Sequence, residues 1–195
     1  MQAMSPSASA ESLPKPSPTP MDRVRRIAEL MRGMVLVGGT LFTIATLAMW
    51  ATPEWIRLGV SQQVGLEPGS ITITPAVQFY GALISLVPLG LGIFGMVQVW
   101  FLFGEYAQGR IFTAIASRRL RRLAWSLIAA AATQVVARTL HGLVLTMNNP
   151  PGKKMLVLSV SSNDYSFLIF GVLLLGIAWV MVEATRLAQE NAEFV

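Results

Sequence analysis

The stretch FYGALISLVPLGLGIFGMVQVWFLF, residues 79–103, decides the fold because it is almost wholly apolar and carries no charged side chain. An α-helix needs about 20 residues to cross a hydrocarbon core of about 30 Å. Inside lipid only a helix or a closed barrel satisfies the backbone polar groups, and a continuous apolar run without period-2 alternation favours the helix. Residues 79–103 are therefore predicted to form a membrane-spanning helix.

Three further stretches have the same character: residues 34–51, 123–145 and 165–182. The hydrophobic fraction of 53% and the charged fraction of 13% depart from the averages of soluble proteins in the membrane direction. The sequence therefore predicts an all-α fold, a four-helix transmembrane bundle, within residues 21–195. Residues 1–20 are rich in Ser, Pro and Ala and are predicted to be a disordered cytoplasmic tail, because they bury too little apolar surface to offset their chain entropy.

The basic residues predict the orientation of the bundle. Eleven of them flank the spans on one side and three on the other, with Arg138 alone inside a span. Basic flanks remain in the cytoplasm. Both termini and the link between the second and third spans are therefore predicted to be cytoplasmic, and the net charge of +5 is attributed to this bias and not to direct binding of nucleic acid.

The two outer loops contain a strand-like signal. Residues 71–74 (ITIT) alternate in polarity, and residues 155–160 (MLVLSV) follow the turn cluster NNPPG at 148–152. These segments are predicted to pair as a small extracellular β-ribbon. The alternative is that residues 155–160 form an irregular apolar loop that touches the lipid headgroups.

One face of the third span is polar. Gln134, Arg138 and His141 are spaced i, i+4, i+7 and so share a side of the helix. Arg138 lies roughly 22 Å from the start of the span, about 8 Å short of the outer edge of the core, and is predicted to reach Asp164 at the start of the fourth span. Ionisable groups inside a membrane indicate function by default, but a position this close to the outer edge weakens that default, because an arginine side chain can extend from it to the headgroups. Arg138, His141 and Asp164 are therefore a candidate site, either an ion pair that pins two spans together or a ligand or proton site that opens outward.

The link before the third span is the most charged element. Thr113 is predicted to cap a helix that runs into that span, with Arg118, Arg119, Arg121 and Arg122 on one side of it. Two interpretations are open for these arginines. They mark topology and contact anionic lipid, or they form a docking patch for an acidic cytoplasmic partner.

Several kinds of chemistry are absent from the sequence. The chain has no cysteine, which excludes disulfides, thiol catalysis, iron–sulfur clusters and cysteine zinc sites. Its one histidine does not build a His-rich metal site, and no phosphate-binding loop or nucleophile elbow is present. The sequence therefore predicts a protein that is not an enzyme and holds neither metal nor cofactor.

Four segments carry a resemblance to a known family: YAQGRIFT (residues 106–113), RRLRR (118–122), DYSFLIFG (164–171) and LAQENAEFV (187–195). From about Arg26 to its end the chain resembles domain-of-unknown-function family 2975, small bacterial membrane proteins with four predicted spans. The resemblance implies the bacterial inner (plasma) membrane. Because such genes commonly neighbour a small helix-turn-helix regulator, it also implies that regulator as a partner.

These observations lead to two expectations about function. The first is a non-catalytic sensor or regulatory module that lies in the lipid bilayer and binds a cytoplasmic partner. The alternative is a small transporter or channel subunit that acts as a homo-oligomer.

Overall fold

The computed structural model describes residues 20–60, 63, 71–149, 158 and 160–193. The chain begins with a long helix α1 (Pro20–Ala51), followed by a short helix α2 (Pro53–Trp55) and a π-helical turn (Ile56–Val60). Three more long helices complete the fold: α3 (Pro75–Ala107), α4 (Ala114–Leu145) and α5 (Ser162–Glu193). The four long helices are each long and apolar enough to cross a membrane, which confirms the all-α membrane fold.

Local sequence accounts for where two of these helices begin. Thr74 precedes α3, accepts a hydrogen bond from the backbone N–H of Val77, and is followed by a proline in the first turn. Thr113 precedes α4 and accepts from the N–H of Ala116 at 3.2 Å. Side-chain acceptors of this kind satisfy donors that the first turn leaves unpaired. The predicted cap at Thr113 is confirmed.

The long helices pack in chain order. α1 lies on α3, α3 on α4, and α4 on α5, so that α1 and α5 stand at the two sides of the row. α5 approaches α4 closely at Gly171, where an added Cβ would lie 3.0 Å from the carbonyl oxygen of Ala124. A small residue here brings the two backbones together, as is common between membrane helices.

The two ends of the row differ in chemistry. We call the arginine-rich end the one where α1 and α4 begin, and the loop end the one where α3 and α5 begin. A core cluster at the loop end contains Trp50, Ile56, Val77 and Leu145, and one at the arginine-rich end contains Leu102, Ala116, Leu120 and Ala178. Elsewhere many large apolar side chains point outward, and such a surface suits hydrocarbon and not water.

The loop before α3 does not form the strand that was predicted for residues 71–74. Ile71 is buried in the loop-end core, and Thr74 caps α3. This segment therefore does not form the predicted ribbon, because the Ile71 side chain packs in the loop-end core and the Thr74 hydroxyl caps α3. Of the predicted partner, residues 155–160, only Leu158 and Val160 are described, and both are exposed. Residues 1–19 of the predicted tail also lie outside the described residues, and Pro20 already belongs to α1.

Candidate functional site

Arg138 of α4 and Asp164 of α5 are in direct contact. Nη2 of Arg138 donates to Oδ1 and Oδ2 of Asp164 at 2.6 and 2.5 Å. Only 10% of the arginine side chain and 5% of the aspartate side chain are exposed. Asp164 also accepts from the backbone N–H of Ser161 at 2.8 Å, and it lies in the first turn of α5, where the helix dipole favours a negative charge. The pair therefore joins two helices with each charge compensated.

His141 takes part in a different contact. Its Nε2 lies 3.2 Å from Oγ of Ser85 and 3.2 Å from the carbonyl oxygen of Gly81, both on α3. A carbonyl oxygen only accepts, so the geometry favours the tautomer with the proton on Nε2. His141 is one turn further along α4 than Arg138, and it ties α4 to α3 instead of to α5. The three predicted site residues thus divide into an ion pair and a separate histidine contact.

Trp50 connects this histidine contact to α1. Its Nε1 donates to Oγ of Ser85 at 2.8 Å, and its ring centroid lies 5.0 Å from that of His141. The ring rests against Gly81, where an added Cβ would overlap it. Gly81 is therefore required for the approach of α1 to α3. This network was not predicted from the sequence, although a tryptophan at the end of one span and a glycine at the start of the next span indicate such a contact.

Two adjoining cavities open beside these contacts. The first, of about 320 Å³, has walls from α1, α3 and α4, and its polar lining comprises Trp50, Thr46, Gln63, Ser85, Gln134, Arg138 and His141. The second, of about 340 Å³, is lined by Gln63, Gln134, Arg138, Ser161, Asn163 and Asp164. Because Gln63, Gln134 and Arg138 border both, we treat them together as the polar chamber. All three residues predicted to share a face of the third span line it.

At the arginine-rich end, the four arginines predicted to form a docking patch differ in their exposure. Arg118, Arg121 and Arg122 are exposed, whereas Arg119 turns inward. Its Nη1 donates to Oε1 of buried Gln98 at 3.1 Å, and its guanidinium carbon lies 4.6 Å from the centre of the Phe101 ring. The helical spacing of the four arginines predicted that all of them lie on one side of the helix. Arg119 leaves that set because the end of α3 offers it an acceptor and an aromatic face.

The chamber is lined by groups that can form hydrogen bonds with a small molecule. Its lining combines donors and acceptors on carboxamide, imidazole, indole and hydroxyl groups with one compensated ion pair. Within the residues that the structure describes, no group of three or more His, Asp and Glu side chains could hold a metal ion. Pockets of this size accept small molecules, with a few polar groups to orient them.

Comparison with known proteins yields one match. No curated protein and no solved structure matches the chain. A family model described as a protein of unknown function (DUF2975) matches residues 50–195, which include α3, α4 and α5 and the whole polar chamber apart from part of the α1 wall. That match covers about three quarters of the sequence and agrees with the four apolar helices. The chain therefore belongs to domain-of-unknown-function family 2975.

Proposed function

We propose that this protein is a non-catalytic membrane sensor or regulatory module, which binds a small polar solute at its loop end and a soluble partner at its arginine-rich end. The observation that carries the proposal is the polar chamber. Three long helices and the start of the fourth contribute to its walls, so a bound solute would touch every part of the row. A ligand shifts a conformational equilibrium by its differential contacts, and this site offers contacts to all the helices at once.

The chamber's lining narrows the kind of solute. Gln63 and Gln134 offer both donors and acceptors, and the charges of Arg138 and Asp164 already compensate each other. A small neutral or zwitterionic polar molecule is favoured over a multiply charged ion, because it can form hydrogen bonds without leaving a buried charge unpaired.

α4 supports a connection between the two ends. It is one continuous helix that carries Arg138 and His141 near one end and Arg118, Arg121 and Arg122 near the other. Twenty residues separate Arg118 from Arg138, which corresponds to about 30 Å along a helix. A rotation or shift of α4 caused by a solute in the chamber would therefore move the exposed arginines directly.

The exposed arginines favour an acidic surface on a soluble partner. Arg118, Arg121 and Arg122 are free of the contact that holds Arg119, and they lie on the side predicted to be cytoplasmic. The helix-turn-helix regulator implied by the family resemblance is the first partner to test. Binding would use the arginine-rich end as a protein-docking surface, with no direct contact between this chain and nucleic acid.

Crosslinking of the full chain in its native membrane tests the partner. We expect the triple variant Arg118→Ala, Arg121→Ala, Arg122→Ala to lose the regulator, while Arg23→Ala, Arg25→Ala, Arg26→Ala, with the same charge change at the same end, retains it. A reporter fused after Val195 checks that neither variant inverts the topology. Equal retention by the two triple variants would refute the docking surface.

A second pair of variants tests the chamber as the sensing site. Gln134→Leu removes a polar group from the chamber wall without touching the ion pair, whereas Val136→Leu changes an exposed apolar position of the same helix. We expect Gln134→Leu to change regulator retention and Val136→Leu to leave it unaltered. If Gln134→Leu behaves like the control, the chamber does not control the partner.

A small transporter or channel subunit is the second candidate. It is favoured by Pro88, which lies in the wall of the chamber at mid-helix, where proline removes a hydrogen bond and permits bending. Transport requires a polar path that continues from the chamber to the arginine-rich end. Flux of small polar solutes in proteoliposomes, abolished by Gln134→Leu and unaffected by Val136→Leu, would support this candidate over the sensor.

A further inference from the structure

A groove of about 370 Å³ runs between α1 and α3, separate from the polar chamber. Its walls come from Leu36, Gly39 and Thr43 on α1 and from Ile93, Met96 and Trp100 on α3. On each helix these positions are spaced three or four residues apart, so one stripe of each helix faces the groove. An added Cβ at Gly39 would lie 2.9 Å from the sulfur of Met96, so the glycine allows the Met96 side chain to pack against α1 at this part of the groove.

The surface of the groove is largely apolar even though two threonines line it. Thr40 and Thr43 both line it, but their hydroxyls donate to the carbonyl oxygens of Leu36 and Gly39, at 2.9 and 2.8 Å. These donors are satisfied within α1, which leaves a solute only the acceptor lone pairs of the two hydroxyls. The groove therefore suits a hydrocarbon chain and is a poor site for a polar ligand.

Arg32 stands at the mouth of this groove. It precedes Leu36 by one helical turn on the same face of α1, and its guanidinium carbon lies 4.3 Å from the centre of the Trp100 ring, which is itself part of the wall. Its Nε is buried without a hydrogen-bond acceptor among the described residues, and no described carboxylate pairs with it. The Arg32 side chain as a whole is half-buried and has no anionic partner among the described residues, so a phosphate oxygen at its exposed part would supply the missing counter-charge.

The depth of Arg32 matches the headgroup level. Trp50 follows it by 18 residues, about 27 Å along a helix, close to the full thickness of a hydrocarbon core of about 30 Å. Ile44, the last α1 residue in the groove, follows Arg32 by 12 residues, about 18 Å. The groove thus extends from one headgroup region to about the middle of the bilayer, which is the length of a single leaflet.

We propose that this groove binds an anionic phospholipid in the leaflet at the arginine-rich end, with its phosphate on Arg32 and one acyl chain between α1 and α3. Charge complementarity favours an anionic headgroup, because Arg23, Arg25 and Arg26 lie on the turns of α1 that precede Arg32.

Native mass spectrometry of the full chain tests the site. The protein, purified in detergent, is mixed with equal amounts of phosphatidylglycerol and phosphatidylcholine that carry the same acyl chains. We expect preferential retention of phosphatidylglycerol, and Arg32→Gln to lower that retention about tenfold, as the loss of a charge-assisted hydrogen bond implies. Arg118→Gln, which removes an exposed charge at the same end of the bundle but on α4, should retain the lipid like the unmodified chain.

A second pair of variants tests the acyl-chain part of the site. Thr40→Trp fills the groove and should also lower retention, whereas Val37→Trp, at an exposed α1 position outside the groove, should not. The proposal is overturned if the two lipids are retained equally, or if either variant matches its control. Displacement of the lipid by inorganic phosphate would reveal a simple anion site, and loss of a dimer in Thr40→Trp with unchanged lipid retention would identify a second copy as the occupant.

Discussion

The two ends of the bundle each draw an arginine of α4 inward, and they do so in different ways. Near the loop end Arg138 contacts a carboxylate and borders an open chamber, whereas near the arginine-rich end Arg119 contacts a neutral amide and an aromatic ring. Arg138 lies about 8 Å inside the predicted hydrocarbon core and only 10% of its side chain is exposed, so an uncompensated charge there is costly. Arg119 lies near the boundary, where a long side chain reaches toward the headgroups and needs less compensation. Depth therefore decides which partner each arginine requires.

We expect the largest effect when Asp164, the counter-charge of Arg138, is neutralised. Asp164→Asn leaves Arg138 buried without an anionic partner, which costs about 3–5 kcal/mol in comparable buried pairs. Thermal unfolding in detergent should show a large loss of stability. Glu183→Gln, which breaks an exposed pair with Arg186, should shift unfolding by less than about 1 kcal/mol. Equal melting of Asp164→Asn and the unmodified chain would contradict a structural role for the pair.

The contact of α1 with α3 at the loop end should show the next effect in size. Gly81→Ala places a methyl group inside the Trp50 ring and should destabilise the protein by about 1–3 kcal/mol through overpacking. Gly90→Ala on the same helix has no neighbouring atom within 4 Å of the added carbon and should be neutral or stabilising. The same melting assay distinguishes them, and a neutral Gly81→Ala would disprove the close approach.

The shallow arginine should show a smaller effect than the deep one. Arg119→Ala removes the donor to buried Gln98 and should cost about 1–2 kcal/mol, whereas Arg118→Ala at an exposed position should change stability by less than about 0.5 kcal/mol. Urea or thermal unfolding of the two variants side by side measures the difference. An equal loss of stability in the two variants would show that Arg119 is exposed in the same way as Arg118.

The smallest expected effect concerns the hydroxyl between α1 and α4. Ser85→Ala removes the acceptor for Trp50 and should cost about 1 kcal/mol, with a change in the fluorescence of that indole. Ser166→Ala, an exposed serine whose hydroxyl donates to its own helix, serves as the control. Unchanged fluorescence and stability in Ser85→Ala would show that this contact does not hold the network together.

The sequence was sufficient for features that depend on one helix and insufficient for those that depend on two. The four apolar helices, the cap at Thr113 and the shared face of Gln134, Arg138 and His141 all follow from position along a single helix. The contact of His141 with α3 and the inward turn of Arg119 depend on how neighbouring helices are rotated, and long apolar runs contain no periodic signal for that rotation.

The central claim is that a water-accessible chamber lies inside the membrane at the loop end, with the arginine-rich end on the opposite side of the membrane. The chain has no cysteine, so single-cysteine variants test this cleanly. In intact cells a small membrane-impermeant thiol reagent should modify Gln134→Cys, should not modify lipid-facing Val136→Cys, and should reach Arg118→Cys only after permeabilisation. Equal reaction of positions 134 and 136, or reaction of position 118 from outside, would contradict the account.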